Sequence, residues 1–182
     1  METVKKKLEE LANLRVRTQE QAEAIKKDKD LTSEARRRKL NELRLTTDEK
    51  LVKLREEYRE AVSSLRERLY IDAFGYKTGW NDQRGERERY LQMLKEVDGK
   101  NPQELLGLLK NAKYAGDRLT PKAVLKEAFE HDLPKLTETC LQMREDLREP
   151  LEKVIEFERT FGEKRDAGAK FDEKVALSGV YF

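Results

Sequence analysis

The chain has 182 residues, 42% of them charged and 37% apolar, with a mean hydropathy of −0.92 and a formal net charge of +2. That length suits one compact domain or a small domain with an extension, and so polar a composition excludes a single thick core. The near balance of charge makes no demand for nucleic acid or an anionic membrane. The lone Cys140 excludes an intrachain disulfide and a cysteine-based zinc cluster.

Residues 3–29 read as a first helix. Val4, Leu8, Leu11, Ala22 and Ile25 fall on heptad a and d positions, but Arg15 and Thr18 fall on the same seam and weaken its middle. Such a helix needs a partner. The partner is either a second copy, in a parallel coiled coil, or the next helix, in an antiparallel hairpin. The short connection Lys26–Ser33 favours the hairpin, and Thr32, a capping residue, places the next helix start beside it.

Arg36, Arg37, Arg38 and Lys39 follow. Consecutive helical residues point about 100° apart, so the four cannot form one flat patch. They are a candidate contact for nucleic acid or an acidic partner; the preferred reading is ordinary helix surface, paired with Glu34 and Glu42 at i±4.

From Ser33 to Phe74 no Gly or Pro interrupts the chain, and apolar residues recur every three or four positions. This predicts one helix roughly 60 Å long. Leu40, Leu51 and Val62 repeat every eleven residues, as do Leu43, Leu54 and Leu65, and Thr47, Tyr58 and Leu69. An eleven-residue period gives about 3.67 residues per turn and a nearly straight seam, which suits a hairpin or bundle rather than a leucine zipper.

Gly75 is placed to end this helix in a left-handed conformation. The stretch Gly75–Gly85 holds three glycines and the only tryptophan. Tyr76 and Trp80 are candidate anchors for a partner. The simpler reading is that these rings, with Tyr70 and Phe74, fill the junction with the helices that follow.

Beyond it the elements shorten. Glu86–Val97 is a helix stopped by Asp98-Gly99. Asn101-Pro102-Gln103-Glu104 reads as cap, N1 proline and capping-box glutamate. That helix ends at Gly116. Thr120-Pro121 begins another, and Asp132-Leu133-Pro134 opens a long last one that Pro150 interrupts or kinks. The tail 162–182 ends in an apolar octet, which makes Val180, Tyr181 and Phe182 candidates for docking on this chain or a neighbour.

No phosphate-binding glycine loop, G-x-S-x-G or H-E-x-x-H occurs. His131 stands alone at a helix end, and Cys140 has no second thiol. The expectation is a protein without catalytic residues, cofactor or metal. No stretch approaches the ~18 apolar residues of a membrane span, and Met1–Leu11 lacks the apolar core of a secretory signal.

Two stretches carry a likeness. Leu31–Leu40, leading into a Glu/Arg-rich helix, and Ala115–Phe129, after a short helix, resemble small helical proteins encoded in tailed-bacteriophage structural-gene modules. The resemblance covers about half the chain and rests on helix-start and charge patterns. It implies a role in virion assembly rather than catalysis, and carries over no functional residues.

The expected architecture is all-α. Residues 1–74 form a long helical hairpin, 75–85 a glycine and aromatic joint, 86–161 a bundle of short helices and 162–182 a terminal arm. The expected function is non-enzymatic assembly, by self-association or by binding capsid, connector or tail proteins in the host cytoplasm. One alternative is nucleic-acid binding through Arg36–Lys39; another is a scaffolding protein absent from the finished particle.

Overall fold

A computed structural model describes residues 1–75 and 84–162. The protein is all-α, with no strand among the described residues. Its helices are α1 (Glu2–Lys27), α2 (Ser33–Phe74), α3 (Arg84–Val97), α4 (Pro102–Ala115), α5 (Thr120–Glu130), α6 (Pro134–Met143) and α7 (Arg148–Thr160), with a 3-10 turn at Glu145–Leu147. The described residues form two compact units: Met1–Arg66 with 157–162, and Glu67–Glu156 without the undescribed 76–83. The division falls within α2 and within α7, and positions 76–83 of the expected glycine and aromatic joint lie outside the described residues.

The first unit is an antiparallel hairpin of α1 and α2. Lys7 meets Glu57 at 2.6 Å and Thr18 meets Thr47 at 3.4 Å, so α2 recedes as α1 advances. Val4, Leu11, Thr18 and Ala22 of α1 are buried, as are Thr47, Leu51, Tyr58 and Leu65 of α2. Thr18, which weakens the seam when α1 is read alone, is only 2% exposed and faces the equally buried Thr47. Its hydroxyl donates to the Leu14 carbonyl at 2.7 Å, which leaves its oxygen free to accept from Thr47. Two polar residues thus share one layer, Thr18 donating to its own helix and accepting from Thr47.

The turn between these helices is tied by side chains. Thr32 Oγ1 accepts the Ala35 N–H at 3.2 Å as the N-cap of α2. Arg36 reaches back, its Nη2 donating to the carbonyls of Asp28 at 2.6 Å and Leu31 at 3.2 Å. In the same unit Arg66 pairs with the buried Glu158 at 3.2 Å, and the Phe157 and Phe161 rings lie 5.8 Å apart.

In the second unit the end of α2 packs on α5. Phe74 lies 5.5 Å from Tyr70 and 5.4 Å from Phe129, ring centre to ring centre. The last carbonyls of α2 lack partners within the helix. Tyr90 O–H donates to the Phe74 carbonyl, and Lys122 Nζ to that of Gly75 at 2.5 Å. Gly75 is not left-handed, contrary to expectation: its N–H still donates to Ile71 O at 2.9 Å, and only Gly99 and Gly116 among the described glycines have positive φ. Glycine is needed at 75 because a Cβ there would stand 2.7 Å from the Ile71 carbonyl oxygen.

The capping box at Asn101 and Glu104 forms as its spacing predicts. Gly116, at φ 64°, closes α4 with the Asp117 N–H on Ala112 O at 2.9 Å. Glu127, 6% exposed, accepts the Gly99 N–H at 3.3 Å and lies 3.1 Å from His131 Nε2 at the end of α5. The last helix is not one element kinked at Pro150. The break comes earlier, at Arg144 (φ −141°, ψ 73°), and Pro150 sits in the first turn of α7, where a missing N–H costs nothing.

Candidate functional site

Among the residues singled out in the sequence, Tyr76, Trp80, Val180, Tyr181 and Phe182 lie outside the described residues. The basic run is split four ways. Arg36 is spent on the carbonyls of the α1–α2 turn, and Arg38 pairs with Glu34 at 2.6 Å. Arg37 and Lys39 are exposed on different sides of α2. His131 is largely exposed, whereas Cys140 is buried, and that burial pushes its thiol up to about 12. Among the described residues no group of three or more His, Cys, Asp or Glu is placed to hold a metal ion. No described helix is long and apolar enough to cross a membrane.

A groove in the second unit was not visible in the sequence. It encloses about 510 Å³ between α4 and α6, over the start of α5. Leu109, Ala112 and Pro121 form its buried floor, with Leu106 and Met143 more open to solvent. Leu106, Lys110 and Lys113 share one face of α4, because positions four and three residues apart stack on a helix. Thr139, Gln142 and Met143 give α6 a neutral wall.

One end of the groove is braced. Arg144 donates through Nη1 to the Arg118 carbonyl at 2.5 Å, and through Nε and Nη2 to the two Asp146 oxygens at 2.7 and 2.6 Å. A two-point guanidinium–carboxylate pair of this kind fixes geometry as well as charge. It holds the Asp146 carboxyl below its ordinary range, chiefly through the hydrogen bonds from Arg144. The helix break at Arg144 and the position of Arg118 are therefore parts of one arrangement.

The charges on the rim are unbalanced. Lys110, Lys113, Arg118 and Arg144 line the groove with one carboxylate, Asp117. Asp117 is already engaged: it accepts from Thr120 Oγ1 at 2.6 Å and from the Leu119 N–H at 2.8 Å. Burial alone would raise this carboxyl, but those hydrogen bonds outweigh it and hold it below the carboxylate range. Arg144 is neutralised by Asp146. Lys110 and Lys113 have no ion-pair partner among the described residues. The groove thus offers an apolar floor with positive charge along one side. Comparison of the chain with protein-family models, curated proteins and solved structures finds no match.

Proposed function

We propose that this is a non-enzymatic assembly protein that binds other proteins, and that its setting is the building of a tailed-bacteriophage virion. The setting comes from the resemblance carried by Leu31–Leu40 and Ala115–Phe129. The observation that best supports protein binding is the groove between α4 and α6. Reactive sites gather polar groups at depth, where burial can tune them. Here the buried lining residues, Leu109, Ala112 and Pro121, are apolar, and the charges stand on the rim. Such a surface grips side chains of another chain better than it activates a small molecule.

Light scattering, together with co-sedimentation against shells, connectors and tail components, tests the reading. Self-association or co-sedimentation is the expected result. A strict monomer that binds none of these components overturns it. Mass spectrometry of finished particles separates a resident structural protein from a scaffold that leaves.

A further inference from the structure

We infer that the α4–α6 groove takes an amphipathic helix of a partner protein, with apolar anchors along its buried face and Asp or Glu along one flank only. The inference rests on the reading of the chain as a protein-binding protein and specifies what is bound.

The groove's two walls differ in kind. On the α4 side, Lys110 and Lys113 rise beside Leu106, which is 38% exposed despite its apolar side chain. On the α6 side, Thr139 and Gln142 offer hydrogen bonds but no charge. Between the walls Met143 presents apolar surface beside the buried Leu109, and a methionine adapts its shape to what it meets. A helix lying in such a trough inserts anchors three and four residues apart. Its flank toward α4 then meets two lysines that have no ion-pair partner among the described residues, and its other flank meets neutral groups.

The charge complement is specific. A basic helix places its cations against Lys110 and Lys113, and a neutral one leaves both unpaired at the edge of a dry contact. Nucleic acid supplies anionic phosphates but no apolar surface for Leu106 and Met143, and four rim cations, one already paired with Asp146, with no aromatic in the lining make a small footprint for it. The groove is also prepared in advance, since Arg144 fixes the turn that carries Arg118 and Asp117 is tied to the start of α5. Little ordering remains to oppose binding.

The test uses the full chain and three short helical peptides: one with leucine anchors and a glutamate flank, one with lysine replacing the glutamates, and one with serine replacing the leucines. Fluorescence anisotropy reads affinity, and the Met143 methyl NMR signal reports occupancy of the groove. The glutamate peptide is expected to bind and shift the Met143 signal. Lys110→Glu with Lys113→Glu is expected to weaken it about tenfold or more, as reversal of interfacial charges does. The lysine and serine peptides are expected not to bind. Arg37→Glu with Lys39→Glu is expected to leave binding unchanged.

Absence of glutamate-peptide binding overturns the inference, as does binding indifferent to the Lys110/Lys113 reversal. Equal binding of the serine peptide, or displacement by a thymidine oligonucleotide, makes the groove a general polyanion site and also overturns it. Loss of self-association on that reversal, with no peptide present, makes a second copy the occupant instead. A chain that binds particle components but not the glutamate peptide keeps the assembly reading and loses this one. A chain that binds the peptide but no particle component does the reverse.

Discussion

The buried threonine pair of the hairpin makes an unsymmetrical prediction. Thr18 Oγ1 donates to Leu14 O, so the Thr47 hydroxyl has Thr18 Oγ1 as its acceptor, at 3.4 Å and with both residues buried. Thr18→Val removes that acceptor and strands the Thr47 hydroxyl. An unsatisfied buried hydroxyl costs about 1–3 kcal/mol, against about 0.8 kcal/mol returned by the added methyl. Thr18→Val should therefore destabilise by about 0.2–2 kcal/mol, centred on about 1 kcal/mol. Thr47→Val strands nothing, because Thr18 keeps Leu14 O; its lost bond is long and its methyl is buried, so it should lie within about 0.5 kcal/mol of wild type. With both hydroxyls gone, the double variant should match or exceed wild-type stability, which gives a coupling of about 1 kcal/mol or more. Urea unfolding followed by circular dichroism, as a double-mutant cycle, measures all three. Equal single-variant losses, or strict additivity, would refute the reasoning, since the Thr47 hydroxyl would then have another acceptor.

Three further outcomes follow from local geometry. Asp132 has φ 55°, a strained region for a residue with a Cβ, and it closes α5 with the Leu133 N–H on Ala128 O at 2.8 Å. Asp132→Gly should stabilise by about 0.5–1 kcal/mol in thermal melts, and a loss would show that the Asp side chain matters more than the backbone. The Asp117 carboxyl is held below its ordinary 3.8, so it favours the folded state above that value and loses this contribution as pH falls through its lower folded value. The stability difference between wild type and Asp117→Asn should accordingly shrink on acidification below pH 3.8; a difference that is flat with pH would contradict the assignment. Cys140, buried with its thiol pushed up to about 12, should resist a thiol reagent in the native protein and react at the rate of unfolding. Fast native labelling would mean that α6 opens on its own.

Much of the fold was legible because its signals are local. Thr32, the Asn101–Glu104 box and Gly116 act within a few residues of themselves, so their spacing alone places helix ends. The eleven-residue period of α2 also survives in the structure, where Thr47, Tyr58 and Leu69 are all buried. Gly75 shows the limit of the same logic. A glycine after a helix suggests a left-handed cap, but here Tyr90 and Lys122 take the carbonyls of Phe74 and Gly75 at the end of α2, and both donors come from other helices. The break at Arg144 was hidden for a similar reason. The local sequence favours helix, and the brace to Arg118 O and Asp146 overrides it.

The candidate groove was the least legible feature. Lys110 and Lys113 look like two among many helix-surface lysines until α6 is set beside them. A spacing of three could have marked them as one face, but not what that face borders. Arg36 is the converse case: it belongs to the most conspicuous basic run in the chain and is used up by two backbone carbonyls. By itself, then, the sequence determined the helical class, the long uninterrupted α2, most helix ends and the preference for a hairpin, all of which depend on periodicity and neighbours within one or two turns. The tertiary structure alone decided which polar residues become satisfied partners, as with Thr18 and Thr47, and which cations, such as Lys110 and Lys113, lack an ion-pair partner among the described residues. Both depend on side chains brought together from distant parts of the chain, and no spacing along a single helix encodes that meeting.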